Sequence, residues 1–175
     1  KNDFACIESD NASIIELPYG QGNYTMVVVL PDDETTIPEL ASSVTIKKWQ
    51  TWMNDLKNSG ASEVELSLPR FKYEYKRALK DDLVNLGMGI AFSDMADFSK
   101  INDRSLCISR VLHQTFIETN EEGTEAAAAT IVEIVETSMP LVRTFNANRP
   151  FLYFIRETTT GTIVFMGSVI NPLQD

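Results

Sequence analysis

A chain of 175 residues, 43% of them hydrophobic, has the size of one domain and can bury a sizeable core. Its formal net charge of −10, from 15 Lys and Arg against 25 Asp and Glu, lacks the basic footprint of a nucleic-acid binder. No run of about 18 apolar residues occurs, so no segment reads as a membrane-spanning helix. Cys6 and Cys107 have no metal-ligand spacing and do not define a disulfide framework, and both are expected as buried free thiols.

In chain order, residues 4–30 read as strands. Ile14-Ile15-Glu16-Leu17 and Thr25-Met26-Val27-Val28-Val29-Leu30 flank the glycine-rich turn Pro18-Tyr19-Gly20-Gln21-Gly22. The second run is apolar at nearly every position, as a strand covered on both faces would be. Asn11-Ala12-Ser13 and Asn23-Tyr24-Thr25 fit the N-glycosylation pattern, which recurs by chance. After the acidic turn Pro31-Asp32-Asp33-Glu34, Ile37-Pro38-Glu39-Leu40-Ala41 opens one helix. A second helix runs from Thr45 to Lys57, with Ile46, Trp49, Trp52, Met53 and Leu56 at helical spacing, and its tryptophans read as core seals.

Ser62–Leu68 alternates as a strand with Val64, Leu66 and Leu68 inward. Pro69 marks a bend or edge, beyond which Phe71, Tyr73 and Tyr75 share one side. Arg77–Leu86 is predicted as an amphipathic helix, with Leu79, Leu83 and Leu86 one turn apart and Gly87 as its stop. A further strand spans Ser105–Thr119 and carries His113, the chain's one histidine, read as a hydrogen-bonded structural residue; Arg104 and Arg110 read as solvated. Near the end, Val142–Phe145 makes a short strand. Phe151–Arg156 and Thr162–Val169 form a buried hairpin across Thr158-Thr159-Thr160-Gly161.

Catalytic chemistry finds little support. A Ser-His-Asp triad would have to use His113, and no G-x-S-x-G elbow, P-loop or G-x-G-x-x-G turn occurs. No Cys/His cluster suits zinc. The acidic pairs Asp32-Asp33 and Glu121-Glu122 fall in turns. The expectation is a protein that is not an enzyme, with no metal and no cofactor.

The stretch Phe116–Ser138 stands apart. It starts as a strand, passes through the acidic turn Asn120-Glu121-Glu122-Gly123, and enters four alanines followed by a β-branched run. Glu and Ala at this density favour helix, whereas Thr130-Ile131-Val132 and Ile134-Val135 favour strand. Alternation helps decide: Thr124, Ala126, Ala128, Thr130, Val132 and Ile134 form one uncharged face, with Glu125 and Glu133 opposite. Such a segment is conformationally ambivalent, and small enough in its first half to slip between existing strands.

The residues Glu121-Glu122-Gly123-Thr124-Glu125-Ala126-Ala127-Ala128-Ala129-Thr130 resemble the hinge of the reactive-centre loop in inhibitory serpins. His113–Glu118, Phe92-Ser93, Ala96–Ser99, Asn148-Arg149-Pro150-Phe151, Phe165-Met166-Gly167 and Asn171-Pro172 resemble other serpin segments, in the family's order and spacing. The resemblance implies an α+β serpin fold of mixed and antiparallel sheets, with residues 1–175 as its C-terminal portion, the loop at about 121–143, and the helix-rich N-terminal half absent. That half is then an expected partner, together with a serine protease, and no nucleic acid or membrane. The implied activity is inhibition by a suicide substrate whose cleaved loop inserts into the large sheet and drags the protease with it. Counting along the family's spacing places the reactive bond at Thr137-Ser138, with Glu136 as the alternative. Thr137 suits a shallow apolar pocket, as in elastase-like or subtilisin-like enzymes. Thr124 becomes the pivot, Glu121 the partner of Arg70 where the sheet opens, and His113 the histidine beneath that opening. An extracellular or cell-envelope location is implied as well. A non-inhibitory carrier, chaperone or storage member of the family, or a fragment without inhibitory competence, is the alternative.

Overall fold

The computed structural model describes residues 2–119 and 142–171. It divides into two compact units: residues up to Phe71 together with those from Thr119 onward, and Lys72–Glu118.

The first unit is built on a seven-stranded sheet. Its strands are β1 (Asn2–Ser9), β2 (Ala12–Tyr19), β3 (Tyr24–Pro31), β4 (Ala61–Ser67), β7 (Arg143–Asn146), β8 (Phe151–Glu157) and β9 (Ile163–Val169), in the spatial order β7-β4-β1-β2-β3-β8-β9. All neighbours are antiparallel except β4 and β7, which run parallel with Val64 opposite Arg143 and Leu66 opposite Phe145. The tight β1–β2 connection follows from the pairing Ser9↔Ala12, and the β2–β3 turn closes at Tyr19↔Tyr24. Pro18 lies inside β2 rather than in the turn. The apolar runs read from the sequence are the sheet's centre, where Ile14, Ile15, Val27, Val28 and Val29 are fully buried whichever face they point to.

Helices α1 (Ile37–Ser43) and α2 (Ile46–Ser59) cover one face. Thr36 caps α1 reciprocally with Glu39, the capping-box arrangement, while the Thr45 hydroxyl accepts from Lys48 N at the start of α2. Trp52 (2% exposed) joins Ile14, Val27, Val29, Leu40, Leu56, Leu152 and Phe154 in one cluster, and its Nε1 donates to Ser9 Oγ at 3.0 Å. Trp49 packs its ring 4.8 Å from that of Phe154. On the other face Phe71 meets Phe151 and Tyr153 at 5.9 and 5.5 Å.

A polar clamp ties three adjacent strands. Arg156 donates through Nε (3.2 Å) and Nη2 (2.7 Å) to Glu16 Oε1, which also accepts from Thr25 Oγ1 at 2.8 Å. The hairpin β8–β9 departs from expectation. β8 is buried, but β9 ends the sheet order, and Val164, Phe165 and Met166 are exposed. Gly167 is required where it stands: it faces Tyr153 across the ladder, and a Cβ there would lie 2.5 Å from the Tyr153 hydroxyl.

The second unit holds most of β5 (Phe71–Ala78) and β6 (Leu112–Thr119), which form a two-stranded sheet. Between them come a single helical turn, α3 (Lys80–Leu83), a π-turn over Val84–Met88 and a 3-10 turn over Gly89–Phe92. The predicted Arg77–Leu86 helix is thus corrected. Ladder pairing claims residues through Ala78 and Leu79 N donates to Val111 O, so the helical turn starts only at Lys80 and passes at Val84 into the π-turn. Gly87, at φ +96°, does end the turn as expected of a left-handed position. The predicted strand from Ser105 is also too long. β5 stops at Ala78, so residues 105–110 find no partner in that ladder, and Ile108 N bonds Ala91 O instead.

Candidate functional site

The hinge residues Glu121, Glu122, Gly123, Thr124, Glu125, Ala126, Ala127, Ala128, Ala129 and Thr130, and the reactive-bond residues Glu136, Thr137 and Ser138, lie outside the described residues. What is described is the pair of strands on either side of them. One is β6, ending at Thr119; the other is β7, beginning at Arg143, the position at which the loop was expected to end.

On the near side, β5 and β6 pair so that Lys72 meets Glu118 (Nζ–Oε2 3.4 Å) and Glu74 accepts from Gln114 Nε2 at 2.5 Å. Alternation puts these four on one face with Phe116, whose ring lies 5.3 Å from Lys72 Nζ. The opposite face carries Tyr73, Tyr75 and His113, the last two with ring centroids 6.3 Å apart. His113 is exposed and lies against an aromatic neighbour. Among the described residues the sheet is two strands wide, so the edge of β6 away from β5 is open. The Thr119 hydroxyl, last before the hinge, is buried with no hydrogen-bond partner among the described residues. Arg70 is exposed in the segment between β4 and β5 and falls in the first unit, whereas His113 falls in the second.

On the far side, β7 stands at one end of the seven-stranded sheet, opposite β9. Phe145 (2% exposed) and Ala147 are buried, and Ala147 N donates to Ser67 O at 2.8 Å. Arg143 Nη1 reaches the Cys6 carbonyl at 2.7 Å. The Cys6 thiol is pushed above its ordinary pKa, first by burial and then by the Glu8 charge, with Arg143 opposing.

Comparison with known proteins places these two strands in a family. The family model "Serpin (serine protease inhibitor)" matches residues 1–172. The chain belongs to the serpin family. Serpin B4 from Homo sapiens is 40% identical over 171 residues, which are 97% of this chain and 44% of that protein. Leukocyte elastase inhibitor from Homo sapiens is 38% identical over 175 residues, covering 97% of this chain and 46% of its own. The solved structure of a thermophilic serpin, tengpin, in the native state superposes with a TM-score of 0.72 at 37% identity, covering 98% of this chain and 44% of that one. This serpin chain therefore spans less than half the length of the relatives it matches, and the α+β serpin fold expected from its motifs is the fold it has.

Other serpin positions sort as follows. Cys6 is a buried free thiol as expected, but Cys107 is exposed, because the loop before β6 carries no core of its own. Asp32 acts within its turn, its carboxylate accepting from Glu34 N and Thr35 N and held below its ordinary pKa by the Thr35 hydrogen bond first. Among the described residues no group of three His, Cys, Asp or Glu side chains is placed to hold a metal ion. The sequence names Arg143 only as a strand residue. Its bond to Cys6 joins positions 137 apart, for which no local pattern gives a sign.

Proposed function

We propose that this chain is the loop-bearing part of a serpin that traps serine proteases as a suicide substrate. In this reading the protease attacks the Thr137-Ser138 bond (Glu136 being the alternative) and forms its acyl-enzyme. The hinge Glu121–Thr130 then adds as a strand beside β6, serpin loop insertion being itself a recognised case of strand addition. About a dozen new ladder bonds at about 1 kcal/mol each, with the side chains they bury, supply on the order of 10–20 kcal/mol. That is ample to distort a protease active site, whose geometry tolerates little displacement.

The observation that carries the reading is that β6, whose edge away from β5 is open among the described residues, is followed after six residues by four alanines in a run with one uncharged face. Arg70 would receive Glu121 as the sheet opens. An elastase-like or subtilisin-like target is favoured by the small side chain of Thr137, and one relative is named for inhibiting leukocyte elastase. The proposal makes the N-terminal half of the same fold the partner that completes the receiving sheet; Serpin B4, more than twice this length, has room for it. An extracellular or cell-envelope location is part of the proposal, to be tested by cell fractionation.

The test is to mix the full-length protein with an elastase-like protease and resolve the products on a denaturing gel. A band at the summed mass, less the peptide beyond Thr137, is expected, and sequencing that peptide locates the bond. Ala126→Pro should convert the adduct into simple cleavage; an undiminished adduct would remove loop insertion from the mechanism. One observation favours a carrier instead. An apolar cavity of about 470 Å³, lined by Ile37, Ile46, Trp49, Phe154 and Met166 among others, lies between the two helices and strands β8 and β9. Cleavage at Thr137 without adduct across a protease panel, with uptake of an apolar dye, would favour that second reading.

A further inference from the structure

The C-terminal tether of the loop is weak by construction. β7 has four residues, lies at the edge of its sheet and pairs in parallel, the less stable mode per residue. Its buried anchors, Phe145 and Ala147, sit toward or beyond its far end, while Arg143 and Thr144, the residues nearest the loop, are exposed. A pull transmitted along the chain from residue 142 meets Arg143 first.

Arg143 is also where the strand reaches past its neighbour. Its backbone pairs with β4, but its guanidinium crosses to β1 and donates to the Cys6 carbonyl at 2.7 Å. That carbonyl belongs to the residue just past the last β1–β4 pair, Ala5↔Ala61, where β4 offers no further ladder donor. The bond therefore joins β7 to β1 directly and is charge-assisted, the stronger class of hydrogen bond.

We infer that Arg143 is a positioning residue, a clasp that holds the loop-proximal end of β7 on the sheet and thereby resists insertion of the loop while it is uncut. This inference rests on the loop-insertion reading. With both ends tethered, an uncut segment can enter a sheet only if β7 lets go near Arg143; cleavage removes that requirement in one step. Arg143 would thus help separate the uncut form from the inserted one.

The experiment compares Arg143→Ala, Arg143→Lys and the neighbour Thr144→Ala in the full-length protein. Amide hydrogen exchange is followed on β7, and so is the half-life of protease-trapping capacity during incubation without protease. Loss of one charge-assisted bond predicts about tenfold faster exchange at Thr144 and Phe145, and a shortened half-life, in Arg143→Ala. Arg143→Lys keeps the charge without the fork and should recover part of both; Thr144→Ala should change neither. β3 and β8 exchange should stay as in the parent, which a merely global destabilisation would not allow. Parent-like β7 exchange in Arg143→Ala would overturn the clasp. If the unsubstituted protein traps no protease, the trapping reading fails, while the exchange data still decide whether Arg143 holds β7.

Discussion

The two units of this chain solve different problems. Every buried side chain among the described residues lies in the seven-stranded unit; Lys72–Glu118 contributes none. In that second unit Leu86, Met95 and Ile101 are between 77% and 80% exposed, and a two-stranded sheet is marginal without further support. Yet its β6 is the strand that precedes the proposed hinge. Low burial of this kind marks the low-stability end of a structure, from which elements that move are drawn.

That contrast can be broken or sharpened by substitution. Trp52→Ala, in the first unit's densest cluster, should cost about 3–5 kcal/mol of unfolding free energy in a urea titration. Arg156→Met leaves the Glu16 carboxylate with the Thr25 hydroxyl alone from the clamp. Since both charged side chains are only 17% exposed, the expected loss is about 2–3 kcal/mol by the same titration. Tyr75→Ala, in the second unit, should change global stability by under about 1 kcal/mol while speeding exchange in β6, because its ring is half exposed. A loss as large as that of Trp52→Ala would show that the ribbon shares the core's cooperative unit, and the contrast would fail.

The smallest effect is local and depends on pH. Glu157 accepts from Thr159 N, Thr160 N and the Thr160 hydroxyl at the β8–β9 turn, with Thr160 the main cause of its pKa being held down at about 2. A folded pKa below the unfolded one contributes stability that is present above the ordinary carboxylate value and is lost as pH falls toward about 2. The amides of Thr159 and Thr160 should therefore lose exchange protection over that acid window, with β3 unaffected. Retained protection at pH 2 would contradict the assignment.

How much was legible follows the same division. Val27–Leu30 read correctly because a strand buried on both faces has nothing but apolar residues to show, and Thr36 with Glu39 announced α1 through local chemistry. Where local spacing and tertiary pairing disagreed, pairing won. Leu79, Leu83 and Leu86 have helical spacing, but β6 drew Arg77 and Ala78 into a ladder and left Leu86 in solvent. β9 read as buried because its composition is apolar; its place at the end of the sheet order is a property of topology that no window of residues contains. For the site, the hinge reading rests on a run of letters that lies outside the described residues, whereas the hold of Arg143 on Cys6 depends on two strands brought together from opposite ends of the sequence.

The placement of β8 has a consequence for how the molecule is made. β8 lies between β3 and β9, yet it is encoded about 120 residues after β3 ends. At ribosomal rates of about 5–20 residues per second, the flank of β3 waits about 6–24 s for Phe151–Ile155 to emerge. During that interval Met26, Val27, Val28 and Val29 have β2 on one edge and no strand on the other. The pairing of β3 with β8 therefore comes well after that of β3 with β2, and this flank needs shielding from other strands until then.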